Sequence, residues 1–508
     1  MRPHVFVGLF AAVFCFLLLT FPSNHSEAED AYSYALAVEQ GGAAELFHMH
    51  HLLYLPLMKG LFAVAGFLGY AGRAFPLLIG FSMLAGAFSI CLFAGLTGGK
   101  KTGVFFAAAL LFSYGFWRYS TTAEIYVPVT ALSLLALICA RRAEENAFFF
   151  WGSVLCGSAA LLMHVASWPL VLGALPFLYL ANRRAPRAVA YLVAVPLITA
   201  GVYISVISGP GLTVFSDTQV VRETLLSPRV WVKGAAAWSQ NVASGNFLFS
   251  IEPVVEKIRA LFPYHMLQEE IFMGKMAPRW VGWAASGTFV FVVLAVLSCL
   301  LFVFRAIRQG GLADWAWPAT LLLWLGGTAA TALIFEPANP EMWICTLAPF
   351  WLLMSVLWDR LPEPSVWARR VPAVLVAALL FHNFMGGMSL VASPEKDYCR
   401  QKTEWVVREA LANDLILMAD SQAAVTFLRY QTPAQVVDAK FITPDAWQNL
   451  KSRAEGRIFV FGDVLDLLPP VARRAPESVK QIQQTVELFE QDLKRVHQDG
   501  LGTVYQCL

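Results

Sequence analysis

FPLLIGFSMLAGAFSICLFAGLT, at residues 75–97, is an apolar stretch without a single charged side chain. A helix of about 20 apolar residues crosses the roughly 30 Å hydrocarbon core of a bilayer, so this stretch predicts a transmembrane helix. The whole chain fits that interpretation, because 57% of its 508 residues are hydrophobic and only 14% are charged. A soluble domain carries about 25% charged residues. We therefore expect a polytopic α-helical membrane protein.

Similar apolar segments recur along the first 391 residues, and together they predict about eleven membrane spans. The first, 5–21, is longer than the usual signal-peptide core of about 7–15 residues and no A-x-A cleavage site follows, so we expect a retained helix. The others are 103–117, 126–140, 147–163, 168–181, 188–208, 282–304, 315–335, 342–358 and 370–391.

One more apolar stretch, 52–70, is ambiguous because it contains Pro56 and Lys59. It fits either a span or a helix that lies along the membrane interface. The basic residues of the short loops favour the second interpretation. With 52–70 outside the bilayer, one side of the membrane receives the arginines and lysines at 100–101, 141–142, 183–187, 305–308 and 360–370. By the positive-inside rule that side is the cytoplasm.

This topology divides the chain into a transmembrane domain, 1–391, and a small extracytoplasmic domain, 392–508. Within the first, 22–74 forms a large outer loop with membrane-lying helices and 209–281 forms a second long outer loop. We expect an integral protein of a bacterial inner (plasma) membrane, with a cytoplasmic N-terminus and an extracytoplasmic C-terminus.

The C-terminal segment has the pattern of an α/β domain. Short apolar runs predict strands, and the intervening periodic stretches 400–411, 444–454 and 477–497 predict helices. The strands are DLILMA (414–419), AQVVDA (434–439), RIFVFG (457–462) and TVYQ (503–506). Cys399 and Cys507 bracket this domain. In an oxidising compartment they are either a disulfide that ties the two ends of the domain together or two unrelated thiols.

Acidic residues are almost absent from the predicted spans and gather at the outer rim instead. They lie in EAEDAYSYA (27–35), STTAEIYVP (120–128) and FEPANPEMW (335–343). Ion-coupled transporters place such groups inside the bilayer, along the transport path. The rim layout is typical of chemistry at the membrane surface. For Glu27, Glu39 and Glu45 we favour solvated loop positions.

In order along the chain, these motifs resemble those of the GT-C glycosyltransferases, which take sugar from a polyprenyl-phosphate carrier on the outer side of a membrane. EDAYSYA (29–35) is similar to the acidic start of that family's first outer loop. HMHHLLYLPL (48–57) is similar to its His-Pro-Pro-Leu-Tyr-like segment, with His50 and His51 in place of the prolines. TTAEIYVPVTALSL (121–134) and LLMHVASWPLVL (161–172) resemble the A-E-V-Y motif and the later histidine turn of the protein O-mannosyltransferase-like branch.

The resemblance implies an inverting glycosyltransferase with a polyprenyl-phosphate-linked sugar as donor and a glycan, lipid or protein as acceptor. Such a reaction needs a carboxylate that takes the acceptor's proton and a cation that stabilises the leaving phosphate. Asp30 is the candidate general base, with Glu29 as its substitute. Tyr32 and Tyr34 would hold Asp30 near the headgroups, since amphipathic rings favour that level.

Two further charged residues have candidate roles at this site. Glu124 would orient the donor or acceptor, or share a divalent ion with Asp30, and that metal is the one cofactor left open by the sequence. Arg118 is the candidate partner of the donor phosphate. Its alternative is a rim arginine whose head group reaches the interface.

The remaining candidates for substrate binding come from the same rim segments. His48, His50 and His51 are too close together to form a three-ligand metal site on one helix face, so we expect them to donate hydrogen bonds to phosphate or sugar. His164 either contacts the carrier phosphate or caps a helix end. The full set is His48, His51, Tyr54, Tyr126, His164, Glu336 and Glu341.

Two other functions remain open. A polysaccharide ligase or polymerase would use basic residues of the long outer loop, but it leaves the acids of the first loop unexplained. A lipid-linked glycan transporter or flippase is disfavoured by the scarcity of charge within the spans. The net charge of +2, without a basic stripe, gives no indication of nucleic-acid binding. The basic residues of the long outer loop that a polysaccharide ligase or polymerase would use are Arg222, Arg229, Arg259 and His265.

Overall fold

The computed structural model describes residues 2–20, 30–207, 227–261, 268–309, 315–361, 366–465 and 476–508. Long apolar segments satisfy their backbone hydrogen bonds within a membrane as helices, and these residues are accordingly mostly helical. Up to residue 207 the α-helices are Pro3–Leu19, Ala31–Gln40, Ala43–Leu46, Tyr54–Phe67, Ala74–Leu96, Lys101–Phe112, Tyr114–Ser120, Tyr126–Arg142, Ala147–Met163, Leu175–Ala181 and Ala185–Ile207. Beyond it they are Pro228–Val242, Glu252–Leu261, Gln268–Lys275, Arg279–Gln309, Ala316–Phe335, Glu341–Trp358, Val366–Asn383, Ser389–Val391, Tyr398–Glu409, Gln422–Gln431, Pro444–Arg453 and Pro476–Glu487.

Several of these helices are long and apolar enough to cross a bilayer, which confirms an integral membrane protein of the expected fold class. Other predicted segments form shorter or interrupted apolar helices, so the number of about eleven spans stays a prediction. The six long helices in the described part of the chain are Ala74–Leu96, Ala185–Ile207, Arg279–Arg305, Ala316–Phe335, Glu341–Trp358 and Arg369–Val391.

The predicted continuous span 103–117 is corrected by the structure. At Ser113 the backbone is extended, with φ −64° and ψ 130°, so Lys101–Phe112 ends there and the short helix Tyr114–Ser120 begins. The Ser113 hydroxyl donates to the Ala109 carbonyl at 2.8 Å and accepts from Trp351 Nε1 at 2.9 Å. Because the hydroxyl serves both neighbours, the break is fixed against the helix Glu341–Trp358.

The chain forms two compact units. The first contains Met1–Phe21, Tyr34–Gly245 and Trp283–Met388. The second contains Pro22–Ser33, Asn246–Gly282 and Ser389–Leu508. Part of the predicted long outer loop and the start of the first outer loop are therefore grouped with the C-terminal segment.

Basic residues collect at one end of the helices of the first unit. Arg141 donates from Nη1 to the Leu96 carbonyl at 3.1 Å, and its guanidinium lies 4.4 Å from the ring centre of Trp317. Lys100 pairs with Asp359 at 3.0 Å. Two of the basic clusters that the sequence assigned to one side of the membrane, at 100–101 and 141–142, thus lie at the same ends of neighbouring helices. The motifs that contain Glu124 and Glu336 precede the opposite ends of the helices Tyr126–Arg142 and Glu341–Trp358.

The C-terminal part of the second unit is built on a five-stranded sheet of order β2-β1-β3-β5-β4. The strand β1 pairs in parallel with β2 and β3, whereas β5 is antiparallel to both β3 and β4. Its hydrophobic core includes Leu417, Trp447, Val460 and Ile482. The strands are β1 (Leu415–Met418), β2 (Gln435–Asp438), β3 (Ile458–Phe461), β4 (Leu493–Asp499) and β5 (Gly502–Cys507).

The sheet confirms a small α/β domain but corrects one of its predicted elements. The helix predicted over 477–497 ends at Glu487, and LKRVHQD (493–499) forms β4 instead. This strand pairs along its length with β5, from Leu493 opposite Cys507 to Asp499 opposite Gly502. Pairing with a neighbour decides its conformation, since its own sequence shows no clear alternation of apolar and polar residues.

The possible disulfide between Cys399 and Cys507 is not formed. Both thiols are free and buried. Cys399 donates a hydrogen bond from Sγ to Glu269 Oε1 at 3.4 Å, whereas Cys507 belongs to the hydrophobic core around the sheet. Each sulfur is thus used in a separate environment.

Candidate functional site

The rim motifs of the first unit are joined by backbone hydrogen bonds between distant segments. The Val165 amide donates to the His50 carbonyl at 3.1 Å, and the Leu53 amide donates to the Leu162 carbonyl at 2.9 Å. Tyr203 holds the same turn through its hydroxyl, which donates to the Met49 carbonyl at 2.7 Å. The structure therefore brings the segments HMHH and LLMH together, although they are more than 100 residues apart in the sequence.

Four histidines and three tyrosines meet at this junction, and we call them the histidine–tyrosine cluster. The rings of His48 and His51 stack with centres 4.3 Å apart, and the ring of His164 lies 6.4 Å from that of His51. Tyr126 lies 5.2 Å from His164. Tyr34 packs by its edge against His51 at 5.5 Å and against Tyr54 at 5.3 Å. The members are Tyr34, His48, His50, His51, Tyr54, Tyr126 and His164.

Burial keeps the imidazoles of the cluster neutral. It lowers the pKa of His48 to about 4 and that of His164 to about 3, and the neighbouring histidines add to both effects. The pKa of His51 also falls well below its usual value for the same reasons. His164 Nδ1 accepts a hydrogen bond from the Ala166 amide at 3.1 Å, so its proton is on Nε2. The capping role considered for His164 is therefore present.

Two polar atoms of the cluster are buried and have no hydrogen-bond partner within the part of the chain that the structure describes. They are Nδ1 of His51, whose residue is 7% exposed, and the hydroxyl of Tyr54, whose residue is 0% exposed. Burial and the nearby charge of Glu124 raise the pKa of Tyr54, so its hydroxyl stays protonated. Buried polar groups are rarely left without a partner, and these atoms are available to a ligand or an ordered water.

Arg118 and Glu124 are both completely buried. Arg118 lies on the short helix Tyr114–Ser120, and Glu124 lies on the turn that joins it to the helix Tyr126–Arg142. Glu124 donates its amide to the Thr122 carbonyl at 2.9 Å, and its own carbonyl accepts from the Ser82 hydroxyl at 3.2 Å. Arg118 donates from Nη1 to the Thr122 hydroxyl at 3.0 Å. A rim arginine that reaches the interface would expose its guanidinium, whereas Arg118 is 0% exposed, so that alternative is excluded.

The short helix that contains Arg118 packs tightly against its neighbour. A Cβ atom at Gly86 would lie 2.6 Å from the Ser120 hydroxyl, so a larger residue there would displace the turn. Next to Arg118, Tyr119 donates its hydroxyl to Glu341 Oε1 at 3.3 Å. This contact ties the short helix to the first residue of the helix Glu341–Trp358.

The two acids of FEPANPEMW have different surroundings. Glu341 is buried and accepts the hydrogen bond from Tyr119. Glu336 is exposed, accepts from Asn339 Nδ2 at 2.7 Å, and its charge acts on His50. Glu336 therefore acts on the cluster through its charge, whereas Glu341 is enclosed by protein beside Tyr119.

The candidate base belongs to the second unit. Asp30 is half-buried, directly precedes the helix Ala31–Gln40, and accepts a hydrogen bond at its carbonyl from the Ser33 hydroxyl at 2.8 Å. Its proposed substitute, Glu29, lies outside the described residues, as do Glu27, Arg222 and His265. The catalytic assignment of Asp30 stays a prediction.

The expected roles of Tyr32 and Tyr34 are corrected, because both rings are buried in protein rather than placed among headgroups. In the second unit, Tyr32 packs against Phe427 at 5.1 Å and Tyr430 at 5.5 Å. In the first unit, Tyr34 belongs to the histidine–tyrosine cluster. The motif AYSYA thus supplies one packing residue to each unit.

Glu39 was expected to be a solvated loop residue and is not. Its carboxylate pairs with Arg73 at 2.9 Å and accepts from the Ala74 amide at 2.7 Å. Since the Ala74 amide is at the start of the helix Ala74–Leu96, Glu39 satisfies a donor that the helix leaves unpaired. Glu45, by contrast, is exposed as expected.

The divalent metal left open by the sequence finds no ready-made ligand set. Among the residues that the structure describes, no three or more His, Cys, Asp or Glu side chains are grouped so that they could hold a metal ion. The stacked rings of His48 and His51 face each other instead of converging on one point.

A second buried polar group was not found from the sequence and lies at the carboxyl ends of β1 and β3. We call it the carboxyl-edge network: Tyr398, Lys402, Asp420, Asp463 and Glu269. Lys402 pairs with Asp420 and, at 3.3 Å, with Asp463. Tyr398 donates to Asp420 at 3.0 Å. Aspartates directly after two buried strands were the available indication, because the carboxyl ends of parallel strands meet at one edge.

Glu269 enters this network from the segment Asn246–Gly282. It accepts from the Ser421 hydroxyl at 3.0 Å and from Cys399 at 3.4 Å. Burial raises the pKa of Glu269 well above its usual value, and the charges of Glu270 and Asp397 raise it further. The carboxyl group is therefore held in its neutral form.

No protein-family model and no curated protein sequence matches this chain. Among solved structures, ArnT from Cupriavidus metallidurans bound to undecaprenyl phosphate is similar over 100% of this chain and 99% of its own, with a TM-score of 0.56 and 12% identity. The apo state of ArnT gives a TM-score of 0.57 at 12% identity, over 99% and 98% of the two chains. The arabinofuranosyltransferase AftD from Mycobacteria has a TM-score of 0.45 and 14% identity, over 100% of this chain and 40% of its own.

Proposed function

We propose that this chain, which has the GT-C glycosyltransferase fold, transfers a sugar from a polyprenyl-phosphate carrier to an acceptor on the extracytoplasmic face of a bacterial inner membrane. The observation that carries the proposal is the likeness in fold to ArnT along essentially the whole of both chains. That structure contains undecaprenyl phosphate, a carrier of the class proposed here. The same proposal assigns the chain to the protein O-mannosyltransferase-like branch and gives it a glycan, lipid or protein as acceptor.

The reaction is a single displacement with inversion at the anomeric carbon. The Asp30 carboxylate takes the proton of the acceptor hydroxyl, whose oxygen then forms a bond to the anomeric carbon of the sugar. The bond between that carbon and the phosphate oxygen breaks, and the electron pair leaves with the polyprenyl phosphate. Asp30 supports this role by its half-buried position at a helix start, where a lowered dielectric strengthens its interaction with the acceptor proton.

Arg118 and Glu124 supply the buried charges that the reaction requires in the first unit. A guanidinium held by Thr122 in a dry environment is suited to the negative charge that develops on the leaving phosphate. Glu124, whose charge acts on Tyr54, orients a hydroxyl-bearing substrate. A divalent ion, if one is bound, would add positive charge at the leaving phosphate.

The orientation of the protein is part of the proposal and follows from the clustered basic ends of the helices. A reporter fused after residue 312 should show a cytoplasmic location, and a reporter fused after residue 395 should show an extracytoplasmic location. The reverse pattern would place the candidate site on the cytoplasmic face and contradict the proposed donor geometry.

The activity test uses the full chain in lipid nanodiscs with undecaprenyl-phosphate sugars and an extract of acceptor glycans. Wild-type protein should release undecaprenyl phosphate. Asp30→Asn should reduce turnover by about two to four orders of magnitude, the range for loss of a positioned base. It should leave donor binding nearly unchanged.

The matched control is Glu45→Gln, which neutralises an exposed acid of the same outer loop and should keep wild-type turnover. Ordinary turnover in Asp30→Asn would remove the assignment of the base. Movement of the intact donor between leaflets without release of undecaprenyl phosphate would favour the transporter alternative and overturn the proposed function.

A further inference from the structure

We infer that the histidine–tyrosine cluster binds the sugar of the lipid-linked donor through the sugar's hydroxyl groups and does not bind its phosphate. The inference rests on the proposed function and assigns a substrate part to residues that the sequence left open between phosphate and sugar. Its physical basis is the combination of neutral donors and acceptors, aromatic rings, and two buried polar atoms that lack a partner in the described part of the chain.

Two buried polar atoms of the cluster need a hydrogen-bond partner. His51 Nδ1 and the Tyr54 hydroxyl are enclosed, yet neither has a hydrogen-bond partner among the described residues. Leaving such groups unsatisfied is costly, so a bound group that pairs with them gains affinity. A sugar hydroxyl both donates and accepts, and it can therefore satisfy the acceptor nitrogen of an imidazole as well as a phenol.

The charges in and around the cluster favour a sugar over a phosphate. A phosphate is held best by charged donors, but the imidazoles here are neutral because of their burial, as the low pKa values of His48 and His164 indicate. Two carboxylates act on the cluster: Glu124 acts on Tyr54 and Glu336 acts on His50. Their field disfavours the anionic phosphate of the donor and is compatible with neutral hydroxyl groups.

The shape and rigidity of the cluster also suit a sugar. The rings of Tyr34, Tyr54 and Tyr126 border the histidines, and aromatic rings offer apolar faces to the C–H groups of a sugar ring. The cluster is anchored by backbone hydrogen bonds at His50 and Leu53. A pre-ordered site of a few convergent polar groups between aromatic walls is typical of small polar ligands.

The test measures binding of the intact protein to undecaprenyl phosphate and to undecaprenyl phosphates that carry mannose, glucose or arabinose. Tyr54→Phe removes only the buried hydroxyl, and His51→Phe keeps an aromatic ring without nitrogen. Each variant should weaken binding of the preferred lipid-linked sugar by about fivefold to twentyfold, the effect of losing one buried hydrogen bond. Binding of undecaprenyl phosphate without sugar should stay within twofold of wild type.

The matched control is Tyr191→Phe. Tyr191 is also fully buried, and its hydroxyl also lacks a partner in the described part of the chain, but it packs against Tyr179 in another part of the first unit. This variant should bind all four lipids as wild type does. Because the same atom is removed from the same residue type, a loss shared with Tyr54→Phe would indicate a general packing effect and contradict the inference.

The remaining outcomes separate this inference from the proposed function. If Tyr54→Phe and His51→Phe weaken undecaprenyl phosphate as much as its glycosylated forms, the cluster binds the phosphate and the inference is wrong. If wild type binds undecaprenyl phosphate but prefers none of the three sugars over it, the sugar site is wrong while the donor class stands. If wild type binds none of the lipids, the proposed function itself fails.

Discussion

The histidine–tyrosine cluster and the carboxyl-edge network are both buried and polar, yet burial affects the charge of their side chains in opposite ways. In the network, opposite charges pair directly: Lys402 contacts both Asp420 and Asp463. In the cluster, burial removes charge from the imidazoles, and atoms of His51 and Tyr54 have no partner among the residues that the structure describes. Protein groups satisfy most of the first group, so it is suited to holding a fold together. The second has capacity left for a ligand.

The comparison also explains why burial alone does not identify a binding site. Burial opposes the charge on Lys402, but Asp463 and Asp420 raise its pKa above the usual value, so the ammonium persists. One oxygen of Asp463, Oδ1, has no partner in the described residues, but the other accepts from Lys402. What separates the two regions is whether a buried group obtains its partner from the chain itself.

The largest expected effect tests whether the carboxyl-edge network is structural. Lys402→Met leaves two carboxylates in a buried site without their cation, and breaking such a pair costs about 3–5 kcal/mol of folding free energy. Hydrogen exchange of the amides in β1 and β3, measured on the intact protein, should show a loss of this size. Sugar-donor binding by the first unit should not change.

The control for that variant is Lys451→Met. Lys451 is 39% exposed at its side chain and pairs with an exposed Asp492 at 3.6 Å, so its removal should change stability by at most about 1 kcal/mol. Equal effects of the two substitutions would mean that the network contributes no more than a surface ion pair, and the comparison between the regions would lose its basis.

A second prediction uses the pH dependence of Glu269. Its raised pKa means that the folded protein retains the proton at pH values where the unfolded chain, with a pKa of 4.5, has lost it. The stabilising contribution is therefore fully present below pH 4.5 and is lost as pH rises, with a slope of at most about 1.4 kcal/mol per pH unit. Glu269→Gln stays neutral and should gain stability over wild type as pH rises.

Hydrogen exchange at Gln268–Lys275 and Tyr398–Glu409 between pH 5 and pH 8 measures this difference. Glu404→Gln is the control, since Glu404 is an exposed acid on the second of these helices. A difference between Glu269→Gln and wild type that does not grow with pH would contradict the buried, neutral carboxyl group.

The third prediction is that the cluster loses stability as pH falls, which is opposite to the pH dependence expected for Glu269. The folded-state pKa values of His48 and His164 lie below the unfolded value of 6.5, at about 4 and about 3. The unfolded chain binds protons first as pH falls, so stability is fully present above pH 6.5 and is lost on acidification. Amides of residues 47–54 and 160–168 should become less protected from pH 7 to pH 5.

His164→Asn checks that the change comes from titration. Asparagine keeps a side-chain acceptor for the Ala166 amide, as a good helix cap does, but it does not titrate in this range. The variant should show a weaker pH dependence at residues 160–168. An unchanged dependence would locate the titrating group elsewhere and weaken the argument for neutral imidazoles.

The fold was predictable where local composition decides the structure. The segment 75–97 is apolar throughout and forms the helix Ala74–Leu96 with a shift of one residue. The break at Ser113 was not predictable, because it depends on a hydrogen bond from Trp351, which is 238 residues away. Similarly, β4 follows a helix-like pattern in the sequence and becomes a strand only through pairing with β5.

The candidate site was predictable as a set of motifs and not as an arrangement. HMHH and LLMH were identified separately, and a contact between His50 and Val165 joins them in space. The sequence could not indicate that Tyr34 packs on His51, nor that Arg118 is enclosed, because both depend on tertiary packing. Lys402 was missed altogether, since its partners follow two different strands.

The smallest expected effect is that of a reducing agent on the stability of the second unit. It tests whether the carboxyl-edge network stabilises this unit without the help of a disulfide bond. A disulfide between Cys399 and Cys507 would close a loop of roughly 100 residues, which in the chain-entropy model is worth about 4–5 kcal/mol. The structure instead has Cys399 bonded to Glu269 and Cys507 in the sheet core, both as free thiols. Exchange protection of β1 and β3 should therefore be the same with and without reductant.

The thiols themselves provide the decisive measurement. Cys399 is 1% exposed and Cys507 is 7% exposed, so neither should react readily in the native protein, whether free or paired. Labelling must follow denaturation without reduction, and both tail peptides should then carry the label. If both stay unlabelled until reductant is added, a covalent bond contributes to the stability of the second unit, and the loss expected for Lys402→Met would have to be measured again on the reduced protein.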